Sequence, residues 1–187
     1  NQTVFTSWVA HDFIKLLKMK KVLLGLIATV MFTNLCLSQN YAMEKSDFLI
    51  LKSEIEKGLH GLYFTIEHVG STSVPNLDSK PIIDIDIIYS KQLDFEKIKS
   101  ELLKTGYYHN GNQGVEDRDV FKRNSGLTNE ILDKIKHHLY VCPIESKALE
   151  RHVFSRNFLR HNDWARLEYQ QMKYELARNP NEAFIAY

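Results

Sequence analysis

The sequence predicts a mixed α/β domain, a mixed β-sheet flanked by helices with further helices packed at its C-terminal end. Three observations carry this expectation. Short stretches rich in β-branched and aromatic residues alternate in the manner of strands, as in Tyr63–Val69, Ile83–Ile87 and His137–Cys142. Between and before them lie amphipathic helical stretches, Glu44–His60 and Phe95–Thr105. From Ser146 to Arg178 the chain reads as helix throughout. At 187 residues it is long enough for one ordinary domain with a real core.

In order, residues 1–18 have no assigned role, and Met19-Lys20-Lys21 then precedes the apolar run Val22–Phe32 and the polar close Ser38-Gln39-Asn40. This is the grammar of a secretory signal over residues 19–39, although eighteen residues precede it. The run is shorter than the roughly 20 residues of a membrane span. Residues 1–42 are therefore read as an N-terminal extension. In the first helix Phe48, Leu49, Leu51, Ile55 and Leu59 form one face, and Gly58 and Gly61 weaken and end it. Strand Tyr63–Val69 delivers the chain to Gly70. After the isoleucine strand, Ser90-Lys91 marks a break, and a helix follows with Phe95, Ile98, Leu102 and Leu103 inward and Gly106 as its stop. Tyr107-Tyr108 is a short strand, His109–Glu116 a Gly/Asn-rich loop and Asp119–Arg123 a strand. The segment Ile131–Cys142 ends in the strand HHLYVC. The C-terminal stretch divides into two helices around His161-Asn162-Asp163, with Asp163 capping the second. Phe158, Leu159, Trp164, Leu167, Tyr169, Met172 and Leu176 are its core residues, and Ala183–Tyr187 begins another helical turn.

A formal charge of +1 gives no global attraction to nucleic acid or an anionic membrane, so any anion binding must be local. The two cysteines, Cys36 and Cys142, have neither a disulfide framework nor a metal-ligand spacing, and Cys142 is expected in the core. Among catalytic motifs, the P-loop, GxGxxG, HExxH and the nucleophile elbow do not occur.

The chemistry gathers in His68–Ile87, HVGSTSVPNLDSKPIIDIDI. Strand alternation projects Asp84 and Asp86 to one side and Ile83, Ile85 and Ile87 to the other. Two adjacent carboxylates repel unless a cation, a shared proton or a basic neighbour offsets them. The Gly70-Ser71 corner ends a strand, where backbone N–H groups and a hydroxyl can receive phosphate oxygens. Residues 72–83 separate Ser71 from Asp84. A Gly-Ser corner followed at this distance by D-x-D on a strand is the layout of nucleotidyltransferases, in which the corner holds a triphosphate and the carboxylates hold Mg²⁺. The bland reading makes the pair a solvated edge-strand face.

The string IEHVGSTSVPNLDSKPIIDIDI resembles the signature of the GrpB-like family, a branch of the nucleotidyltransferase superfamily. GNQGVEDRDVFKR, ILDKIKHHLYVC, RHVFSRNFLR and EYQQMKYELA resemble that family in the same order. The resemblance runs from about Met43 to the C-terminus, so residues 43–187 are read as the family's domain. The family continues past this point, which implies truncation. It usually opens on a Tyr-Asp-Pro-x-Trp-like segment, at which only Tyr41 hints, and it carries a carboxylate where this chain has Asn157.

What the resemblance implies is a nucleotidyltransferase-like fold, and a Mg²⁺-dependent transfer of a nucleoside monophosphate from an NTP to an unknown acceptor. Asp84 and Asp86 would be the metal ligands and catalytic carboxylates. Gly70, Ser71 and Thr72 would bind phosphate, supported by Lys80, His68, Arg118, Lys122 and Arg156. Arg123 and Arg160 are further basic candidates. The superfamily scheme has a third carboxylate on a neighbouring strand, but the strand one would nominate reads His137-His138-Leu139-Tyr140-Val141. His138 is the catalytic candidate there, as metal ligand, phosphate contact or general base. Glu67 and His68 point to opposite faces, and His68 is the one assigned to the site.

Two rivals stand beside this reading. One is a nucleotide- or metabolite-binding module without catalysis, the other a metal-dependent phosphohydrolase using the Asp pair with His137 or His138. GrpB-like domains also occur fused to dephospho-CoA kinase, a context pointing toward coenzyme A metabolism. NTP and Mg²⁺ are cytoplasmic resources, which favours the cytoplasm; a mature N-terminus near Asn40 would mean export.

Overall fold

The computed structural model describes residues 40–123 and 126–178. The signal-like stretch and the turn at Ala183–Tyr187 lie outside the described residues. A first helix, α1, spans residues 40–58. It is followed by β1 (Thr65–Val69), a single 3₁₀ turn at Ser71–Ser73, β2 (Ile83–Tyr89), α2 (Gln92–Lys104), β3 (Tyr107–His109) and β4 (Asp119–Arg123). Then come α3 (Glu130–Lys134), β5 (His137–Pro143), α4 (Lys147–His161) and α5 (Asp163–Arg178). The strands form one five-stranded sheet in the order β1-β2-β5-β4-β3. It is mixed: β2 and β5 run parallel, and the other neighbours are antiparallel.

Register divides the side chains between two faces, because residues directly opposite each other share a face. Ile85 pairs with His68 and Leu139, Ile87 with Ile66 and Val141, and Leu139 with Phe121. These residues form the apolar face, and Ile85, Ile87, Leu139 and Val141 are fully buried. From α1, Leu51, Ile55 and Leu59 close this core, and from α2, Phe95, Ile98 and Leu102. Two residues expected inward face solvent instead: Leu49 is 54% exposed and Leu103 44%. Each lies about 100° around its helix from the nearest core position, outside the buried stripe. Gly106, at φ +90, ends α2 in the left-handed conformation a glycine supplies.

Two further readings change. The segment before β5 contains a short helix, α3, whose Asn129 side chain accepts from the backbone N–H groups of Ile131 and Leu132. Asp163 is the first residue of α5, and its carboxylate pairs with Arg166 at 2.9 Å. The C-terminal helices are also less buried than expected. Phe158, Trp164, Leu167 and Met172 are 38%, 61%, 61% and 47% exposed, and Ala165 is the buried apolar residue of α5. Cys142 is fully buried. Among the described residues no helix is long and apolar enough to cross a membrane.

Candidate functional site

The polar face of the sheet collects the chemistry. On β2, Asp84 and Asp86 point to this side; β1 contributes Glu67 opposite Asp86, and β5 contributes His138 opposite Asp84 and Tyr140 opposite Asp86. Position in the strand separates the two carboxylates. Asp84, near the start of β2, keeps 26% of its side chain exposed, whereas Asp86 keeps none.

Each carboxylate is held by one histidine. His138 Nδ1 lies 2.9 Å from Asp84 Oδ1, and His152 Nδ1, from α4, lies 2.9 Å from Asp86 Oδ2. The hydrogen bond and charge of Asp84 raise the His138 pKa against the opposing effect of burial. Burial raises the Asp86 carboxyl, the His152 hydrogen bond pulls it back, and the charge of Asp84 adds to the rise. The other Asp86 oxygen, Oδ1, is buried without a hydrogen-bond partner. An orphaned, fully buried carboxylate oxygen is costly by itself and is the donor type a hard divalent cation takes. Asp84 and Asp86 therefore fit a magnesium ion in ligand chemistry, although among the described residues no group of three His, Cys, Asp or Glu side chains is arranged to hold a metal.

Gly70 sets the approach of the corner. Its φ is +71, and a Cβ there would overlap Asp84 Oδ2 and lie 2.8 Å from Cγ. Only a glycine lets backbone and carboxylate come this close. The turn that follows is self-braced, with Ser73 Oγ donating to Gly70 O at 2.6 Å.

α4 and α5 bring cations to the same corner. His152, Arg156 and Arg160 fall four residues apart on one face of α4, a polar stripe at helical spacing that the sequence already contains. Arg156 NH1 pairs with Glu67 and donates to His68 O at 2.8 Å, and its Nε donates to Asn157 Oδ1 at 3.0 Å. Arg160 grips Ser73 O through Nε and NH2 at 2.9 and 2.6 Å. From α5, Lys173 Nζ donates to Ser71 Oγ at 3.0 Å and to Asp78 O at 2.8 Å.

Several expected site residues thus meet, and several do not. Asp84, Asp86, His138, Gly70, Ser71 and Arg156 converge. His68 does not: the register puts it on the apolar face, where it stacks on Phe48 at 4.5 Å and meets Thr72 Oγ1 at 3.0 Å. Burial, with the charges of Arg160 and Arg156, pushes its pKa down to about 4. Glu67 takes the place assigned to His68 on the carboxylates' face. Thr72 is buried with its hydroxyl on His68, so its side chain is turned from the corner's open side. Lys80 is exposed. Arg118 and Lys122 belong to β4 and its approach, away from the corner on β1, but the charge of Arg118 acts on Asp86 and that of Lys122 on His138. Arg118 stacks over Tyr140 at 4.7 Å with its Nε buried and unpaired. His137 faces the core, where its Nε2 meets Tyr107 OH at 2.6 Å. Glu67, set aside in favour of His68, and His152 and Lys173, which carry no assignment from the sequence, also join the site. For His152 the helical stripe was the available signal, whereas the placement of Lys173 depends on how α5 docks.

The family profile described as GrpB protein matches residues 39–187. The Glutamate-rich protein GrpB of Alkalihalophilus pseudofirmus is 34% identical over 119 residues, covering 63% of this chain and 67% of that protein. The chain spans between 34% and 67% of the length of the curated bacterial relatives it matches. Among solved structures, the conserved protein GrpB from Enterococcus faecalis superposes with a TM-score of 0.59 at 28% identity, covering 73% of this chain and 79% of that one. The Cid1 poly(U) polymerase, solved with MgGTP bound, superposes with a TM-score of 0.53 at 13% identity, over 79% of this chain and 48% of that one, a likeness of fold.

Proposed function

We propose that this chain, which belongs to the GrpB family and has the nucleotidyltransferase-superfamily fold, is a Mg²⁺-dependent nucleotidyltransferase that moves a nucleoside monophosphate from an NTP to a small-molecule acceptor. The observation that carries the reading is the Asp84–Asp86 pair with the Gly70 corner seated directly against Asp84. Asp84 and Asp86 would hold the metal, which when bound supplies Lewis acidity to phosphate oxygens. The chain's own residues do the remaining work. Ser71 and the corner backbone orient the phosphates. His152 fixes the Asp86 carboxylate through Nδ1, and His138 does the same for Asp84. His138 is 54% exposed, and its ring Nε2 is the nitrogen left to take a proton from an acceptor hydroxyl. Arg118 and Lys122, whose charges act on Asp86 and His138, add positive potential for phosphate beside the carboxylates.

Titration calorimetry with Mg²⁺ and each NTP tests this on the native chain and the Asp84→Ala, Asp86→Ala double variant. Metal-dependent nucleotide binding in the first and its loss, by a hundredfold or more, in the second is the expected result. Equal, metal-independent binding in both would sink the metal assignment. A second reading, a nucleotide-binding module without turnover, is favoured by one observation: Glu67, the carboxylate nearest to completing a set of three, is tied to Arg156. Binding without pyrophosphate release across candidate acceptors would identify that case.

A further inference from the structure

The polar face of the sheet continues past the carboxylates, on the side away from the Gly70 corner. Val120 of β4 lies opposite Tyr140, so Lys122, two residues on, shares the face of His138 and Tyr140. Lys122 pairs in turn with Tyr108 of β3, which is 40% exposed. Arg118, just before β4, lays its guanidinium over the Tyr140 ring at 4.7 Å. At strand rise Arg118 and Lys122 are about 13 Å apart along the backbone, a gap two long side chains can close over Val120. The result is a shelf beside His138 that carries two cations and two tyrosine rings.

Among the described residues neither Arg118 nor Lys122 forms a salt bridge, and Arg118 Nε is buried without a hydrogen-bond partner. The carboxylates around them are engaged elsewhere. Asp84 is bonded to His138 and Asp86 to His152, although the charges of Asp86 and Arg118 still attract each other. Asp119 turns to the opposite face of the sheet and meets His109 at 2.6 Å. Glu116 and Asp117 are exposed in the loop before β4, and the charge of Asp117, like that of Asp119, acts on Tyr89 of the opposite face. Stacking on Tyr140 holds the guanidinium plane but gives its N–H groups no acceptor, so the fork is left for one from outside.

We infer that the acceptor is itself a phosphate monoester, a small hydroxyl compound whose own phosphate seats between Arg118 and Lys122. This rests on the nucleotidyl-transfer reading above and names the acceptor class that reading leaves open. The direction of transfer selects this side, because in an in-line displacement the entering and leaving oxygens lie on opposite sides of the phosphorus. With the leaving phosphates at the Gly70 corner after β1, the acceptor enters from β5 and β4. Its hydroxyl oxygen forms the new bond to the α-phosphorus, and the bond from that phosphorus to the α,β-bridging oxygen breaks. Pyrophosphate departs with the electron pair, and the hydroxyl proton passes to His138 Nε2. The guanidinium grips two oxygens of the acceptor's phosphate in parallel, and Lys122 adds a point charge, so a dianion is preferred over a neutral or cationic acceptor.

Phenyl phosphate probes the shelf, and benzyl alcohol is its uncharged counterpart. Calorimetry on the full chain is run with Mg²⁺ and α,β-methylene analogues of the common NTPs present to fill the corner. Phenyl phosphate is expected to bind at least tenfold tighter than benzyl alcohol. Arg118→Gln and Lys122→Gln, the second at an exposed position, each weaken phenyl phosphate at least fivefold and leave binding of the NTP analogue within twofold of native. On the unmodified protein, phenyl phosphate slows the reaction of Arg118 with phenylglyoxal, read by mass spectrometry, and does not slow that of Arg151, exposed on α4. The inference falls if phenyl phosphate binds no tighter than benzyl alcohol, if both variants bind it like the native chain, or if saturating probe leaves Arg118 unprotected. In each of those cases NTP binding that still depends on Asp84 and Asp86 leaves the nucleotidyl-transfer reading standing. Loss of the NTP analogue together with phenyl phosphate in either variant would assign these cations to the nucleotide, and the inference falls there too. A native chain that binds no NTP overturns both.

Discussion

A methyl group at position 70 would meet the Asp84 carboxylate and would force a φ of +71 on a residue with a side chain. Both effects act on one residue, and they add. The left-handed backbone costs roughly 1–2 kcal/mol and overpacking about 1–3 kcal/mol more. Gly70→Ala is therefore expected to lose at least about 2 kcal/mol of stability, read by denaturant unfolding. With the metal held as proposed, it also loses affinity for Mn²⁺, used as a stand-in for Mg²⁺, since Asp84 must move aside. A variant with native stability and native Mn²⁺ binding would show that the corner and the carboxylate are not coupled. At the same scale the sequence misled once. Alternation correctly separated Glu67 from His68, but only the β1–β2 register decides which of them shares a face with Asp86.

α4 shows why the apolar residues of the C-terminal helices did not become core. Its stripe of His152, Arg156 and Arg160 faces the sheet, because Asp86, Glu67 and the carbonyls of the corner need donors. Phe154 and Phe158 are turned away from it, 66% and 38% exposed, and stack on each other at 5.8 Å. A helix can present only one face to the sheet, and here the polar one has partners. α3 illustrates a different limit. With five residues it is too short to persist by its own hydrogen bonds, and it depends on its N-cap. Asn129 accepts from two backbone N–H groups and donates to Glu54 Oε1 at 2.9 Å, tying α3 to α1. Asn129→Ala should cost about 1 kcal/mol. Hydrogen exchange should quicken first at Ile131 and Leu132, and unchanged protection there would argue against the cap.

For the whole molecule, stability should fall in acid, through histidines that the fold buries uncharged. His68 titrates near 4 in the folded chain against an ordinary value of 6.5, and burial lowers His137 in the same direction. The unfolded chain then binds protons that the folded chain does not. This contribution is complete above about pH 6.5 and is lost as pH falls toward 4, roughly 3 kcal/mol from His68. His138 has the opposite sign, favouring the fold below its raised pKa, but it is 54% exposed and the effect is screened. Chemical denaturation at pH 7 and pH 4.5 should show the loss, and His68→Gln should flatten it. An equal slope in that variant would move the origin elsewhere.

By itself, the sequence determined the fold class, most of the elements and the Gly70, Ser71, Asp84 and Asp86 frame. These features are local: strand alternation, helical spacing and a glycine-serine corner are written in neighbouring residues. Tertiary structure alone decided which partners complete that frame. Sheet order set Glu67 on one side of the carboxylates and His138 on the other, while Arg118 and Lys122 fell beyond β5. Docking of α4 and α5 delivered His152 to Asp86 and Lys173 to Ser71. The physical reason is that hydrogen bonds between residues 66 and 102 positions apart have no local signature, because their geometry comes from strand register and helix packing.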